Sequence, residues 1–419
     1  MRQLVEAVAR LPCMIARGNG RSYGDSSLNP SRIVGMRRLD HMLAFDAKAG
    51  VLTCEAGTLL SDIIDTLLPR GWFPPVTPGT KFVTIGGLIA ADVHGKNHHG
   101  AGSFCHHVVS LDLVLADGRI VTCSRDENPE LFAATCGGMG LTGVIVRATI
   151  KMTAVETSKI RQRTVPVANL DEAIAVFESS QDVTYSVAWI DGLAQGDHLG
   201  RSIVHLGEHA LLDDLPAADR AQPLAGARRN AKTVPVDFPD FVLSRSAVRL
   251  FNAVYYRSHR AGTALVDLDP YFYPLDAIHH WNRMYGDRGF VQYQPVLPLA
   301  ESRDGLQRLL AEVAKAGEAS FLAVLKRMGS QSFGMMSFPL PGYTLALDFP
   351  ATPRNLALLD RLDAIVCEHG GRVYLAKDAR TRPAMIEAGY PRLGAFRDVR
   401  RRFGMTERFA SLQSRRLEL

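Results

Sequence analysis

Arg17-Gly-Asn-Gly-Arg-Ser-Tyr-Gly-Asp25 follows directly on an apolar run at 13–17 that reads as a strand. Glycines at such a junction clear side chains away, so that backbone N–H groups can approach an anion such as a pyrophosphate. The tempting assignment is a Rossmann turn, with Asp40 near the distance of its ribose-binding acid. The spacing is wrong for it, being G-x-G-x-x-x-G, and the continuation Asp25-Ser-Ser-Leu-Asn-Pro30 cannot open a helix. Taken alone, the loop reads equally well as an ordinary turn. A doubly wound dinucleotide fold is therefore not the expectation.

Two further glycine segments lie downstream. Pro78-Gly-Thr-Lys-Phe-Val-Thr-Ile-Gly-Gly87 runs on to His94-Gly-Lys-Asn-His-His99, and Gly137-Gly-Met-Gly-Leu-Thr-Gly143 leads into a strand. Three such turns within one stretch, each joined to a β-run, suit one extended ligand lying across several backbones. Strands are expected at 51–55 and 141–152. Helical spacing of Leu59, Leu60, Ile63, Ile64, Leu67 and Leu68 ends at Pro69. Asp117-Gly118 predicts a two-residue hairpin turn between strands starting at 110 and ending at 123. From residue 158 the texture changes. Helices are expected at 171–178, after a cap at Ser302 and at 355–369, and strands at 185–190, 321–325, 343–349 and 372–377. Helices on one face of an antiparallel sheet would satisfy this pattern, and the fold class is α+β. The weakly periodic stretch 207–239 reads as a surface loop or a lid.

Composition excludes other classes. The 419 residues are 47% hydrophobic and 22% charged, which is ordinary for a globular protein and rules out a disordered or fibrous chain. The length favours two domains. A net charge of +5 without a basic stripe speaks against nucleic acid as a partner. No apolar run approaches the ~20 residues of a membrane helix, and the N-terminus reads as an amphipathic helix without a signal-peptide core. That points to a cytoplasmic protein, in which Cys13, Cys54, Cys105, Cys123, Cys136 and Cys367, lacking any CxxC pair, are expected to be reduced core thiols. His94, His98 and His99 invite a metal, but flanking glycines and the lack of a nearby thiolate oppose it. His94 reads better as a polar group beside a cofactor, and His98 and His99 as structural or surface residues.

Together the three turns and the His94–His99 segment resemble an FAD-binding domain of the p-cresol methylhydroxylase / vanillyl-alcohol oxidase type, and more narrowly the decaprenylphosphoryl-β-D-ribose 2-oxidase family. The likeness continues through Trp281-Asn-Arg-Met-Tyr285, Gln292-Tyr-Gln294, Leu347-Asp-Phe-Pro350, Tyr374-Leu-Ala-Lys-Asp378 and Arg415-Arg-Leu-Glu418. It implies a flavin domain split into 1–157 and 372–419, with a substrate domain at 158–371 between the halves. It also implies sequence upstream of the first helix, inside which this chain begins. Flavin contacts would fall on Ala16, Arg17, Gly18, Asn19, Gly20, Arg21, Ser22, Tyr23, Gly24, Asp25 and Ser26. Others would fall on Gly79, Thr84, Ile85, Gly86, Gly87, Ala91, Asp92, Val93, His94, Ile145 and Tyr374. Some relatives attach FAD covalently to a His in the first loop. Arg21 stands there, so non-covalent FAD and no metal are expected.

The implied reaction oxidises the 2-hydroxyl of a polyprenyl-phosphoryl pentofuranose to a ketone, the first half of an epimerisation in cell-envelope polysaccharide synthesis. An NAD(P)H-dependent short-chain reductase would act next, and the enzyme would touch the membrane only peripherally. Lys377 is the leading candidate for the base or for holding the alkoxide. His94 is the alternative base, and Tyr23 would relay a proton or bond the sugar. A Lys377 merely paired with Asp378 is the bland alternative. Lys326 would meet a phosphate and Gln292 and Gln294 would read hydroxyls, while Asp348 would at most orient a neighbour. Two departures bear on the substrate: Tyr271-Phe-Tyr-Pro-Leu-Asp276 lacks the family's histidine, and Ala346 replaces its familiar cysteine. Competing readings are an oxidase of soluble sugars, alditols or aldonolactones, and a non-catalytic flavin-binding subunit.

Overall fold

The structure, a computed structural model, describes residues 2–226, 232–317 and 322–419. Parts of the expected 207–239 loop and of the 321–325 strand lie outside the described residues. Two antiparallel sheets organise the chain. The first has five strands in the order Met42–Asp46, Val51–Glu55, Val144–Lys151, Val108–Val114 and Ile120–Ser124. Beside it Ile15–Arg17 pairs in parallel with Ile33–Gly35. The helix Leu60–Leu67 buries Leu60, Ile63, Ile64 and Leu67, the stripe that its spacing foretold.

The second sheet has nine strands. Eight run in the order Gly262–Asp267, Lys159–Val167, Ser202–His209, Tyr185–Ile190, Ala323–Met328, Gly342–Pro350, Pro295–Pro298 and Arg372–Val373, and Phe290–Tyr293 pairs with Gly342–Pro350. The helices Leu299–Ala316 and Pro353–Glu368 pack on one of its faces and on each other. Strand side chains alternate between faces. Leu325, Leu345, Leu347 and Phe349 are buried in the core, while Val324, Lys326, Ala346 and Asp348, one residue out of step, line a cavity. That cavity lies between the sheet and the glycine turns of the first unit. The fold is α+β.

Several local expectations are corrected. Leu115 and Arg119 still bond across the hairpin (2.9 Å), and only Gly118 takes a positive φ, 85°. The connection is a three-residue loop with glycine in the left-handed position, not a two-residue turn. Ser302 lies inside its helix, which starts at Leu299, and its hydroxyl donates to Leu297 and Pro298 carbonyls at 3.0 and 2.8 Å. The strand expected at 372–377 stops at Val373, because Leu375–Lys377 turns into a 3₁₀ coil. Arg372–Val373 still belongs to the nine-stranded sheet, so the chain leaves that sheet two residues beyond the anticipated boundary. All six cysteines are free, but Cys367 is exposed and Cys13 only half-buried, so neither is a core thiol. Among the described residues no helix is long and apolar enough to cross a membrane.

The C-terminal segment returns to the first unit. Met14 and Ala410 bond backbone to backbone (3.0 Å), and the buried Arg400 donates to the carbonyls of Leu141 (3.1 Å) and Phe409 (2.8 Å). Guanidinium donors are thus spent on holding the third glycine turn and the chain end together.

Candidate active site

The three glycine turns converge because they bond to one another. Asn19 Nδ2 donates to the Phe82 carbonyl at 2.8 Å, joining the first turn to the second. Met139 N donates to the Ala90 carbonyl at 2.8 Å, joining the third to the helix Ile85–Ala90 that the second turn opens. Thr84 caps that helix, accepting from Gly87 N at 3.2 Å. The first turn also rests on the coil that carries Lys377. Tyr23 N donates to the Ala376 carbonyl at 2.9 Å, and a Cβ on Gly24 would lie 2.3 Å from the Asp378 carbonyl oxygen. Glycine is required there by that close approach.

These turns and the second sheet enclose a cavity of about 640 Å³, within the ~300–1,000 Å³ usual for ligand sites. Backbone forms much of its wall. Gly79 lines it, and a Cβ built there would meet no protein atom within 4 Å. Such a wall suits a flat, extended nucleotide cofactor. Ala16, Gly18, Asn19, Gly20, Arg21, Ser22, Tyr23 and Ser26 line the cavity, as do Gly79, Thr84, Gly86, Gly87, Ala91, Val93, His94, Ile145 and Tyr374.

Five of the expected contacts are not in that wall. Arg17 bonds Ser27 Oγ at 3.2 Å, and Ile85 is core. Asp92 is fully buried, accepting from Cys105 N at 3.0 Å and Ser337 Oγ at 2.5 Å. Gly24 packs on the Lys377 coil, and Asp25 pairs with Arg416 at 2.8 Å. Arg416 also reaches Asp378 at 2.8 Å, so one guanidinium clamps the first turn to the Lys377 coil. These residues shape the wall from behind.

Lys377, Lys326, Gln292 and Gln294 line the cavity together with His94, Tyr23 and Asp348. Lys377 Nζ stands 3.9 Å from the centre of the Tyr23 ring. Its neighbouring acid is not Asp378, whose carboxylate is taken by Arg416, Gln413 and the N–H groups of Arg380 and Thr381. Asp348 is the carboxylate that acts on it. Burial pulls the Lys377 ammonium well down from the ordinary lysine range, Asp348 opposes this, and Lys326 adds to it. Burial pushes the Asp348 carboxyl up, against hydrogen bonds from Gln292 Nε2 (2.5 Å) and Tyr285 (3.1 Å). Gln292 faces Asp348 because the two are partners in the antiparallel register.

Lys326 is lowered to about 8 by burial, and Lys96 to about 7 by burial and by Lys326. Lys96 donates to the Tyr271 carbonyl and lies 4.3 Å over the Tyr271 ring. His94 is held well below the usual histidine range by burial first, then by Lys326, His98 and Lys377. Its Nε2 accepts from Gln294 at 3.0 Å, and its Nδ1 makes no hydrogen bond among the described residues. A buried orphan nitrogen at a cavity wall fits a ligand that supplies its partner. Tyr23 is raised beyond the ordinary phenol range by burial and then by Asp348, and stays a neutral donor.

His98 bonds Ser103 and Gly329 N, and His99 bonds the Val183 carbonyl at 2.7 Å, so both are structural. Sequence reasoning missed Lys96, which sits in the histidine-rich segment where only the histidines were weighed. It also undervalued Asp348. Trp189, His205 and Tyr255 complete the far wall, and nothing in their local sequence marks them.

Comparison with known proteins agrees with this geometry. Residues 3–124 match the family described as an FAD binding domain. The chain is 38% identical over 413 residues to the decaprenylphosphoryl-beta-D-ribose oxidase of Mycolicibacterium smegmatis, covering 97% of this chain and 89% of that protein. It is 38% identical over 372 residues to an uncharacterized protein in the mprA 5′ region of Streptomyces coelicolor, covering 86% and 100%. A shorter likeness, 30% over 139 residues, links it to the D-arabinono-1,4-lactone oxidase of Yarrowia lipolytica, covering 32% and 26%. Near-complete coverage at that identity, on top of a cradle suited to FAD, makes the chain an FAD-dependent oxidoreductase that belongs to the decaprenylphosphoryl-β-D-ribose oxidase family.

Proposed function

We propose that the enzyme oxidises the 2-hydroxyl of a polyprenyl-phosphoryl pentofuranose to a ketone. The observation that carries this reading is the charge of the cavity. Lys96, Lys326 and Lys377 are enclosed together against one interacting carboxylate, Asp348. The other lining acid, Asp276, is faced by Lys81 and Arg21. Like charges gathered away from water favour an anionic ligand. A sugar phosphate brings that charge, and a neutral alditol does not.

FAD, when bound, supplies the acceptor for the hydride. Lys377, depressed by burial, takes the hydroxyl proton as a neutral amine and becomes an ammonium beside Asp348 and the Tyr23 face, which both favour the cation. Lys326 and Lys96 bind the phosphate. Gln292 and Gln294 have spent N–H donors on Asp348, His94 and Thr344, leaving their Oε1 atoms to accept from sugar hydroxyls. His94, with its second nitrogen open, orients the reacting group. A separate NAD(P)H-dependent short-chain reductase would complete the epimerisation, and the lipid tail keeps the enzyme at the inner membrane face.

Anaerobic stopped-flow mixing of the flavin-loaded enzyme with short-chain polyprenyl-phosphoryl pentoses, and separately with free alditols and aldonolactones, tests the reading. Bleaching by the lipid-linked sugar is expected. Bleaching by the soluble compounds alone would overturn it.

A further inference from the structure

The helix Arg245–Ser258 is turned two ways. Val248 and Asn252 point inward and are buried, with Asn252 Nδ2 donating to Asp191 at 2.6 Å, and Tyr255 reaches the cavity wall against Trp189 (ring centres 4.8 Å apart). On the outer side Leu250 is 68% exposed and Val254, one turn later, 59%. Phe241, on the 3₁₀ coil that packs against the helix, is 71% exposed. Four arginines, Arg245, Arg249, Arg257 and Arg260, occur between 245 and 260 without one acidic residue. Among the described residues none of the four makes an ion pair with a carboxylate.

Large exposed aliphatic and aromatic side chains clustered on one face are a liability in water unless something covers them. Arginine-rich polar flanks around such a face are the composition of a helix that lies in a lipid interface, with guanidinium groups at the headgroups and apolar tips in the acyl boundary. We propose that this helix, with Phe241, docks the enzyme on an anionic lipid surface. Charge complementarity selects the occupant: four unpaired cations would repel a second copy of the same face, whereas anionic headgroups neutralise them. The placement also serves the cavity, since Tyr255 belongs both to this helix and to the wall. A lipid-linked substrate leaving past Tyr255 and Trp189 would have its tail delivered to the bilayer. That last link rests on the substrate reading above; the docking surface itself does not.

Co-sedimentation of the flavin-loaded enzyme with phosphatidylglycerol–phosphatidylcholine vesicles, against phosphatidylcholine alone, reads the docking directly. Binding is expected to the anionic vesicles and to weaken as salt shortens the Debye length from ~10 Å at 0.1 M to ~3 Å at 1 M. Arg249→Gln with Arg257→Gln should weaken it roughly 30-fold, and Leu250→Ser with Val254→Ser should abolish it at high salt. Both double variants should keep the flavin spectrum, and neither should alter the rate at which a short-chain substrate analogue reduces the flavin. Unchanged vesicle binding in both variants would overturn the proposal. So would a dimer in light scattering that the Leu250/Val254 variant splits, because the face would then belong to a second copy. Vesicle binding that holds while no lipid-linked sugar bleaches the flavin would sink the substrate reading and leave the docking surface standing.

Discussion

Replacing Lys377 with methionine isolates the proposed base. The backbone around it should survive, because Lys377 N bonds the Tyr374 carbonyl (3.0 Å), Tyr23 N bonds Ala376, and Asp378 is held by Arg416 rather than by the lysine amine. Methionine fills similar volume. What is lost is the proton acceptor, worth about 10²–10⁴ in the rate of flavin reduction, or about 3–5 kcal/mol of barrier. The pH profile sharpens the test. Burial and Lys326 drive Lys377 toward its neutral form while Asp348 holds the proton on. The base-active amine therefore accumulates as pH rises, and the reduction rate should climb to a plateau. Asp348→Asn removes the group that retains the proton, so the acid limb should move to lower pH by about one to two pH units. Lys326→Gln removes a like charge and should move it the other way. Anaerobic stopped-flow bleaching across pH, normalised to flavin content, measures all three. Reduction by Lys377→Met within threefold of the parent enzyme, or an acid limb in Asp348→Asn that moves upward, would refute the assignment.

Gly79→Val should leave thermal unfolding of the flavin-free protein nearly unchanged, since its Cβ meets no atom within 4 Å. It should nevertheless lower FAD affinity roughly tenfold or more by entering the cavity, as flavin titration would read. Arg416→Leu strands two carboxylates, Asp25 and the nearly enclosed Asp378. Discounted for the partial exposure of the guanidinium, the loss is about 2 kcal/mol, which in a chain of this length should lower the Tm by about 2 °C and release FAD more readily. Acid precipitation should free all the flavin into the supernatant, because a guanidinium at Arg21 cannot form the covalent link; yellow pellets would contradict this. Binding of an anionic sugar phosphate at pH 8 should take up about one proton as Lys96 and Lys326 regain full charge from about 7 and about 8. A calorimetric heat independent of buffer ionisation would count against that pairing.

The glycine turns were legible because their chemistry is local: a backbone stripped of side chains is visible in the sequence whatever surrounds it. The stripe of Leu60–Leu67 was legible for the same reason. What escaped depends on pairing over distance. Asp348 meets Lys377 only because Phe290–Tyr293 and Gly342–Pro350 align Gln292 with Asp348, a register that no nearby residue announces. Asp378, one residue from the lysine, looked like its partner and instead faces the C-terminal arginine. Lys96 was hidden by its neighbours, since three histidines drew attention to metal chemistry while the lysine pointed into the cavity. The hairpin at Gly118 was read one residue too short because Asp-Gly signals a turn without fixing how far the ladder continues beyond it.

The two sheets divide the work in a way that follows from their side-chain periods. The first unit presents backbone to the cavity, which suits a cofactor recognised by shape and by N–H groups. The second presents alternate side chains from neighbouring strands: Gln292 and Gln294, Val324 and Lys326, Ala346 and Asp348. Substitutions on this face can reshape the cavity while leaving the opposite face, packed on its helices, undisturbed. Ala346 illustrates the point. It lies on that face between Thr344, which accepts from Gln294, and Asp348, which accepts from Gln292. A small apolar residue at that position widens the wall without touching either hydrogen bond. Lys377 reaches the same space from a separate coil, held by Arg416 and by the first glycine turn. The proposed base is thereby tied to the cofactor cradle, and not to the side-chain face of the second sheet.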